Sequence, residues 1–256
     1  MQLVCNLSIA SAYTSKAQCA RVISEAWFAE NCYCLACDQE SLARSKANTI
    51  ATDFSCESCG HRYELKTFQK RPRRSLVDGA YSSLIARINL NRAPTLCLLE
   101  RNAAWRILSL TAIHSSFLVP WAIEKRPPLR EGARRAGWIG CNIRLDRIPP
   151  DGEVPLIKDG AVLPKTEVRR RFQRYLPLAT LSKEERGWAA LTLKFVRDLS
   201  KSEFALSEIY AREAEFSAVY PRNLHIREKI RQQLQVLRDL GILKFTTRGK
   251  YALQEL

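Results

Sequence analysis

The chain has 256 residues, 46% of them hydrophobic, and carries 41 Lys and Arg against 26 Asp and Glu for a net charge of +15. This apolar content excludes a disordered chain, and the length allows one large domain or two modest ones. The charge favours a polyanionic partner, with nucleic acid the first candidate. No apolar run approaches the roughly 18 residues of a membrane helix and no signal peptide is evident, so we expect a cytoplasmic protein without a membrane partner.

The first predicted elements are a helix and two strands. Apolar positions at helical spacing predict an amphipathic helix over residues 16–30. Residues 49–54 and 61–67 read as short strands, and a basic, proline-bearing loop follows at residues 69–74. We expect the helix to pack on the sheet that these strands begin, which gives an α/β core.

Four cysteines between residues 34 and 59 have the spacing of a metal site. They form two Cys-x2-Cys pairs, which are Cys34 with Cys37 and Cys56 with Cys59. Two such pairs bring four thiolates to tetrahedral distance around one Zn²⁺, and four thiolates leave no open position, so we expect this zinc to be structural. Redox chemistry and chance spacing are the alternatives.

Three residues on the predicted strands suit phosphodiester hydrolysis. Asp53 ends the first strand, and Glu64 and Lys66 share a face of the second, while Leu65 between them points to the core. Strand pairing then brings Asp53 beside Glu64. Carboxylate oxygens suit a catalytic Mg²⁺, and a nearby Lys can orient and activate the attacking water. We predict Asp53, Glu64 and Lys66 as catalytic residues and place Asp53, Glu64 and Leu65 at the Mg²⁺, although this spacing also arises by chance on solvated strands.

The middle of the chain predicts a helix, a hairpin and a loop-rich stretch. Residues 77–91 are predicted to be helical, and residues 95–100 and 105–110 are predicted strands of a hairpin that turns at Asn102. Seven prolines between residues 120 and 164 exclude a long helix there and end the first domain. Within this stretch Arg134, Arg135 and Trp138 form a loop that can enter a DNA groove, or one whose Trp is a core residue.

From residue 181 the sequence becomes helix-forming. Helices are predicted at residues 183–199, 205–211 and 223–239, followed by strands at 242–246 and 249–253, and we place the domain boundary near residue 180. This order is typical of a winged helix, which binds DNA or, alternatively, another protein. Its predicted DNA contacts are His225, Lys229, Arg231, Gln232, Gln235 and Arg248.

The motifs resemble those of a nuclease family. Asp53 with the triplet Glu64, Leu65 and Lys66 resembles the PD-(D/E)xK nucleases, although Thr52 stands where that pattern has Pro. Together with the segments at residues 78–81, 134–143 and 225–242, the chain resembles DpnI and the dam-replacing proteins over nearly its whole length. In some PD-(D/E)xK relatives the first helix adds a carboxylate, which Glu25 could supply, or Glu25 is simply solvated.

This resemblance implies a type II restriction endonuclease that cuts double-stranded DNA at GATC when the adenine carries an N6-methyl group. Residues 1–180 would form the PD-(D/E)xK nuclease domain with the embedded zinc site, and residues 181–256 the winged helix. Trp138 would lie near the methylated adenines. We expect a monomer in solution that uses Mg²⁺. A non-catalytic zinc and winged-helix regulator, and an endonuclease for unmethylated GATC, are the alternatives.

Overall fold

A computed structural model describes residues 1–45 and 52–254, so the predicted strand at 49–54 lies partly outside the described residues. Across these residues the α-helices are α1 (Lys16–Asn31), α2 (Tyr81–Asn89), α3 (Lys165–Gln173), α4 (Lys183–Asp198), α5 (Leu206–Tyr210), α6 (Glu213–Val219) and α7 (Ile226–Asp239). None of these helices combines the length and the apolar character that a membrane crossing requires.

The strands are β1 (Ala43–Arg44), β2 (Phe54–Ser55), β3 (Arg62–Phe68), β4 (Ser75–Ala80), β5 (Thr95–Arg101), β6 (Ile107–Ile113), β7 (Ile123–Lys125), β8 (Gly140–Arg144), β9 (Glu153–Lys158), β10 (Ala161–Val162), β11 (Glu203–Ala205), β12 (Leu243–Thr247) and β13 (Lys250–Leu253).

The chain divides into two compact units that interleave along the sequence. The first comprises Met1–Arg73, Ala93–Ser115 and Gly152–Leu176, and the second Arg74–Arg92, Ser116–Asp151 and Pro177–Leu256. The domain boundary near residue 180 stays a prediction.

The first unit is built on a sheet of seven strands in the part of the chain described, in the order β1-β2-β3-β5-β6-β9-β10. Strands β3 and β5 run parallel, and the other neighbours run antiparallel. Helix α1 packs on β3 and α3 on β9. The core on this face includes Trp27, Phe28, Tyr63, Leu99 and Phe172. Because side chains alternate along a strand, Glu64 and Lys66 of β3 lie on the opposite face, which we call the Glu64 face.

The second unit contains two small antiparallel sheets. Strands β4, β8 and β7 form the first, in that order, with α2 packed against it. The second has the order β11-β13-β12, with β11 between α4 and α5 in the chain and β12 and β13 after α7, and α4 packs on α7. Inside this helical part the buried ring of Trp188 stacks on Tyr220 with centroids 4.1 Å apart.

The predicted fold class is confirmed, because the chain is a mixed α/β protein with a central sheet and a helical C-terminal part. The predicted helix at residues 16–30 and the hairpin around Asn102 correspond to α1 and to β5 with β6. The predicted helix at residues 77–91 was wrong in its first part, which pairs with β8 as β4. Gly79 lies in that part, and a glycine disfavours a helix by about 1 kcal/mol relative to alanine.

Candidate active site and metal centre

Asp53, Glu64 and Lys66 lie together where β2 meets β3. The backbone N–H of Asp53 donates to the carbonyl of Tyr63 at 2.9 Å, which continues the contact between the two strands beyond the pair Phe54–Tyr63 and brings Asp53 beside the strand that carries Glu64. The backbone N–H of Leu65 donates to Asp53 Oδ2 at 2.7 Å and so orients that carboxylate. Lys66 Nζ lies 2.6 Å from Glu64 Oε1. Two carboxylates and an ammonium therefore share one small site.

The burial of Glu64 makes this site suitable for a cation. Glu64 is only 7% exposed, and a buried carboxylate is stable only with positive charge or hydrogen-bond donors close to it. The oxygen donors of Asp53 and Glu64 are those that Mg²⁺ prefers. Leu65 packs its side chain against the core, so it can offer a metal only its backbone carbonyl. The donor set fits a hard divalent cation, and the catalytic assignment stays a prediction.

Glu25 on α1 is electrostatically coupled to this site. Burial raises the pKa of Glu25, the charge of Asp53 raises it further, and Arg21 opposes both. Glu25 Oε1 lies 3.8 Å from Arg21 Nε, with its side chain only 27% exposed. Glu25 is thus partly buried within electrostatic range of Asp53, and its contribution of a third carboxylate stays a prediction.

The four cysteines form a compact cluster. Cys34 Sγ lies 3.6 Å from Cys59 Sγ, Cys37 Sγ lies 3.6 Å from Cys56 Sγ, and all four sulfurs are within 4.8 Å of one another. Tetrahedral Zn–S bonds of about 2.3 Å place sulfurs roughly 3.8 Å apart, so the cluster could hold a zinc ion. A hydrogen bond from the backbone of Gln39 is the main cause that lowers the pKa of Cys37 to about 7, whereas burial raises the pKa of Cys34 and that of Cys59.

Two side chains that the sequence did not single out tie this cluster to the rest of the unit. The hydroxyl of Tyr63 on β3 lies 3.3 Å from Cys34 Sγ and accepts a hydrogen bond of 2.8 Å from the backbone of Leu35. Arg169 on α3 donates to the carbonyls of Cys34, at 3.1 Å, and Gln39, at 3.0 Å. Tyr63 directly precedes Glu64, so the cysteine cluster and the candidate active site share a strand. No sequence signal marks these contacts, since both residues are ordinary in a core strand and a basic helix.

Comparison with family models covers nearly the whole chain. The model of the DpnI dam-replacing family matches residues 1–181, and that of the dam-replacing helix-turn-helix domain matches residues 184–253. The chain belongs to the DpnI dam-replacing family. The resemblance drawn from its motifs is thereby confirmed. This is a restriction endonuclease family, which is consistent with a nuclease, and its helix-turn-helix domain implies DNA binding.

In this member of the dam-replacing family, Trp138 is held in a fixed position. The indole is partly buried and packs on Gly140, where an added Cβ would lie 2.9 Å from the ring. The guanidinium of Arg135 stacks over the same ring at 4.8 Å from its centroid. Arg134 and Arg135 themselves are exposed in a series of turns. Trp138 is therefore half-buried against its own loop, and its contact with DNA stays a prediction.

The helix-turn-helix domain exposes most of the predicted contact residues of α7. Its apolar residues Ile226, Ile230, Leu234 and Leu237 are buried, as the periodicity predicts. His225, Gln232 and Gln235 are exposed, Lys229 is partly exposed, and Arg248 is exposed in the turn between β12 and β13. Arg231 is also exposed, and its guanidinium donates to the Tyr210 hydroxyl and stacks over that ring. These residues lie on one helix and one turn, and their contact with DNA stays a prediction.

Proposed function

We propose that the protein is a methyl-directed type II restriction endonuclease that hydrolyses double-stranded DNA at GATC sites carrying N6-methyladenine. Membership of the dam-replacing family supports the methyl-directed restriction activity. The observation that carries the catalytic part is the grouping of Asp53, Glu64 and Lys66 on one strand pair. The sequence specificity rests on the resemblance of the motifs to that family.

Asp53 and Glu64 would bind Mg²⁺, with Leu65 contributing its backbone carbonyl. When bound, the Mg²⁺ neutralises charge that grows on the phosphoryl oxygens. The hydrogen bond from the Leu65 N–H holds Asp53 in its orientation without any contribution from the substrate. Lys66, 2.6 Å from Glu64, is near enough to position the attacking water, lower its pKa and stabilise the developing negative charge.

The zinc bound by Cys34, Cys37, Cys56 and Cys59 would be structural. Four thiolates complete the coordination of a tetrahedral ion and leave no position for substrate. The second cysteine pair lies between Asp53 and Glu64 in the chain, and the hydroxyl of Tyr63 touches Cys34. We infer that the zinc fixes the distance between the two carboxylates.

Reading of methylated GATC would be shared between the loop with Trp138 and the helix-turn-helix domain. A single methyl contact contributes only about 1 kcal/mol, so strong dependence on methylation requires contacts at both adenines. We assign phosphate and base contacts to Arg134, Arg135, His225, Lys229, Arg231, Gln232, Gln235 and Arg248. One candidate active site per chain is compatible with a monomer in solution that cuts the two strands in successive events.

The test is cleavage of methylated and unmethylated GATC plasmid with Mg²⁺. We expect wild-type protein to cut only the methylated plasmid. Lys66→Ala should lower cleavage more than about 100-fold while binding of a methylated duplex is retained, because the lysine acts on the transition state. Lys158→Ala, an exposed lysine of the same unit, is the matched control and should cut normally.

Each alternative predicts a different outcome. A non-catalytic regulator would bind DNA and cut neither plasmid, and its Lys66→Ala variant would behave like the wild type. An endonuclease for unmethylated GATC would cut only the other plasmid. Equal cleavage of both plasmids would contradict methyl direction while retaining the nuclease.

A further inference from the structure

A basic loop directly follows β3, the strand that carries Glu64 and Lys66. Residues 69–74 read Gln-Lys-Arg-Pro-Arg-Arg, and Lys70 and Arg73 are exposed there. Arg71 between them is partly buried. A run of like charges is ordinarily solvated and mobile. The partial burial of Arg71 departs from this expectation.

Arg71 joins this loop to three strands of the central sheet. Its Nη2 lies 2.7 Å from Oε2 of Glu153, the first residue of β9. Its Nη1 donates to Thr111 Oγ1 on β6 at 3.1 Å, and its backbone N–H donates to Glu100 Oε1 on β5 at 3.3 Å. The second oxygen of Glu100 accepts a hydrogen bond of 3.2 Å from Ser109. These contacts hold both the side chain and the backbone of Arg71 in place.

These anchors lie on the Glu64 face. Directly paired residues of neighbouring strands share one face of a sheet. Lys66 on β3 pairs with Leu98 on β5, and Leu98 pairs with Thr111 on β6. In the neighbouring row, the pairs run from Glu64 through Leu96 and Ile113 to Glu153 on β9. Neighbouring strands are about 4.8 Å apart, so Thr111 lies about 10 Å from Lys66, a span of roughly three nucleotides of DNA. Leu96, Leu98 and Ile113 in these rows are fully buried, so the middle of the face is packed; the loop is anchored on the same face as Lys66, with Lys70 and Arg73 exposed.

We propose that residues 69–73 form a phosphate-binding loop in which Lys70 and Arg73 contact the DNA backbone and Arg71 is the positioning residue. An arginine already paired with a carboxylate and a hydroxyl is poorly placed to bind phosphate, whereas Lys70 and Arg73 are exposed and form no ion pair within the described residues. Phosphate contacts of this kind fix the register of a duplex without reading its sequence. The inference rests on the proposed function in one respect, since it requires DNA on the Glu64 face.

The substitution Glu153→Gln distinguishes two roles of Glu153, that of an anchor for Arg71 and that of a negative charge that repels DNA. It removes a negative charge from the protein, so electrostatics alone, or an Arg71 that itself binds phosphate, predicts tighter DNA binding. A positioning role predicts the reverse, because the loop loses its ion pair. We expect affinity to fall by about tenfold and the slope of log K against log salt to become shallower by up to about 2, the contribution of two phosphate contacts.

The measurement is fluorescence anisotropy of the full chain between 50 and 200 mM salt without Mg²⁺, with a methylated GATC duplex and an equally long duplex that lacks GATC. Both duplexes should lose affinity alike, because the loop reads phosphates. Asp159→Asn is the matched control, since it removes one exposed carboxylate from the same unit without touching the loop. It should bind as tightly as wild type or slightly tighter.

Two further variants guard against a misfolded protein. Thr111→Val keeps the net charge and removes only the hydrogen bond to Arg71, so it should weaken binding in the same direction by a smaller factor. The double variant Lys70→Ala with Arg73→Ala should set the largest change in slope. Zinc content and thermal unfolding of each variant show whether the fold is retained.

The inference is overturned if Glu153→Gln follows Asp159→Asn, with affinity equal to or above that of wild type and an unchanged slope. A wild-type protein that binds both duplexes without preferring the methylated one would contradict the proposed function, while the slopes still decide the role of the loop. A wild-type protein that binds neither duplex would overturn both.

Discussion

Tyr63 is the residue through which the cysteine cluster reaches the candidate active site. Its hydroxyl contacts Cys34 Sγ and the backbone of Leu35, and the next residue of β3 is Glu64. Burial raises the pKa of Tyr63, so the hydroxyl stays protonated and can donate to a thiolate. One buried side chain therefore joins the cysteine cluster to the strand that carries Glu64.

Tyr63→Phe should weaken metal retention without removing a ligand. The backbone N–H of Leu35 would lose its buried acceptor, which destabilises the fold by about 1–3 kcal/mol. We expect faster zinc release to a competing chelator and a lower melting temperature. Tyr13→Phe, at an exposed position, is the control. Identical zinc release from Tyr63→Phe and wild type would show that the hydroxyl does not support the cluster.

His114 makes stability sensitive to acid. It is fully buried with its ring 4.1 Å from that of Phe172, and burial lowers its pKa to about 3. The unfolded chain binds a proton at this residue below about pH 6.5 and the folded chain does not, so the free energy of unfolding falls with pH by up to about 1.4 kcal/mol per unit from pH 6.5 towards 3.

His114→Gln should therefore show a shallower loss of stability between pH 6.5 and 4.5 in urea unfolding. Zinc loss in acid affects both proteins, so the difference between the two curves isolates the histidine. His225→Gln, at an exposed position, should keep the wild-type slope. Parallel curves for wild type and His114→Gln would contradict the assignment.

At the scale of elements, α7 combines a regular apolar stripe with one buried amide. Gln233 is fully buried, and within residues 1–45 and 52–254 neither of its amide atoms has a protein hydrogen-bond partner. Helix α7 packs on α4, where the buried indole N–H of Trp188 and the hydroxyl of Thr192 are also unpaired among the described residues. Such groups destabilise a fold by about 1–3 kcal/mol each.

Replacing Gln233 by Met should raise the free energy of unfolding by about 1–3 kcal/mol, because the volume is kept and the unpaired amide is removed. The measurement is urea unfolding of the full chain. Gln235→Met, on the exposed side of the same helix, should change stability little. A lower stability of Gln233→Met would mean that the amide has a partner such as a bound water molecule.

The elements that the sequence predicts well are those with a regular apolar pattern. Helices α1, α4 and α7 begin and end within three residues of the predicted limits, because each buries one continuous stripe. Helix α3 went unpredicted, since only Val168 and Phe172 of its nine residues are buried apolar side chains and four are Lys or Arg. Helix α6 and strand β11 are short and depend on tertiary packing rather than on local pattern.

The candidate site also has features that the sequence predicts and contacts that it does not predict. Strand alternation predicts that Glu64 and Lys66 share a face, and cysteine spacing predicts the cluster. Contacts between residues far apart in sequence, such as Arg71 with Glu153 or Arg169 with Cys34, depend on the order of strands in the sheet. That order follows from packing over the whole unit, which no local pattern encodes.

At the scale of the whole molecule, removal of metal from the cysteine cluster can show whether cleavage depends on the local structure or on the whole fold. Zinc bound by four thiolates contributes on the order of 10 kcal/mol to folding of the segments around it. We expect a zinc chelator, with Mg²⁺ in excess, to abolish cleavage before the far-ultraviolet circular dichroism signal is lost. Added zinc should restore cleavage.

Cys59→Ser should reproduce the effect of the chelator, and Cys19→Ser, outside the cluster, should not. Cleavage and secondary structure that disappear together in the chelator series would show that the metal supports the whole unit rather than the spacing of Asp53 and Glu64. Cleavage that survives complete zinc removal would show that the cluster has no part in the activity.

The interleaving of the two units has a consequence for synthesis. The candidate catalytic residues Glu64 and Lys66 of β3 leave the ribosome early, but β9, which pairs with β6 and carries Glu153, is made much later, after a long segment of the second unit. At ordinary translation rates this interval lasts on the order of ten seconds. A nascent chain therefore carries Asp53, Glu64 and Lys66 through this interval without a finished sheet or an anchored loop, and the sheet beside them is completed only after more than half of the chain has been made.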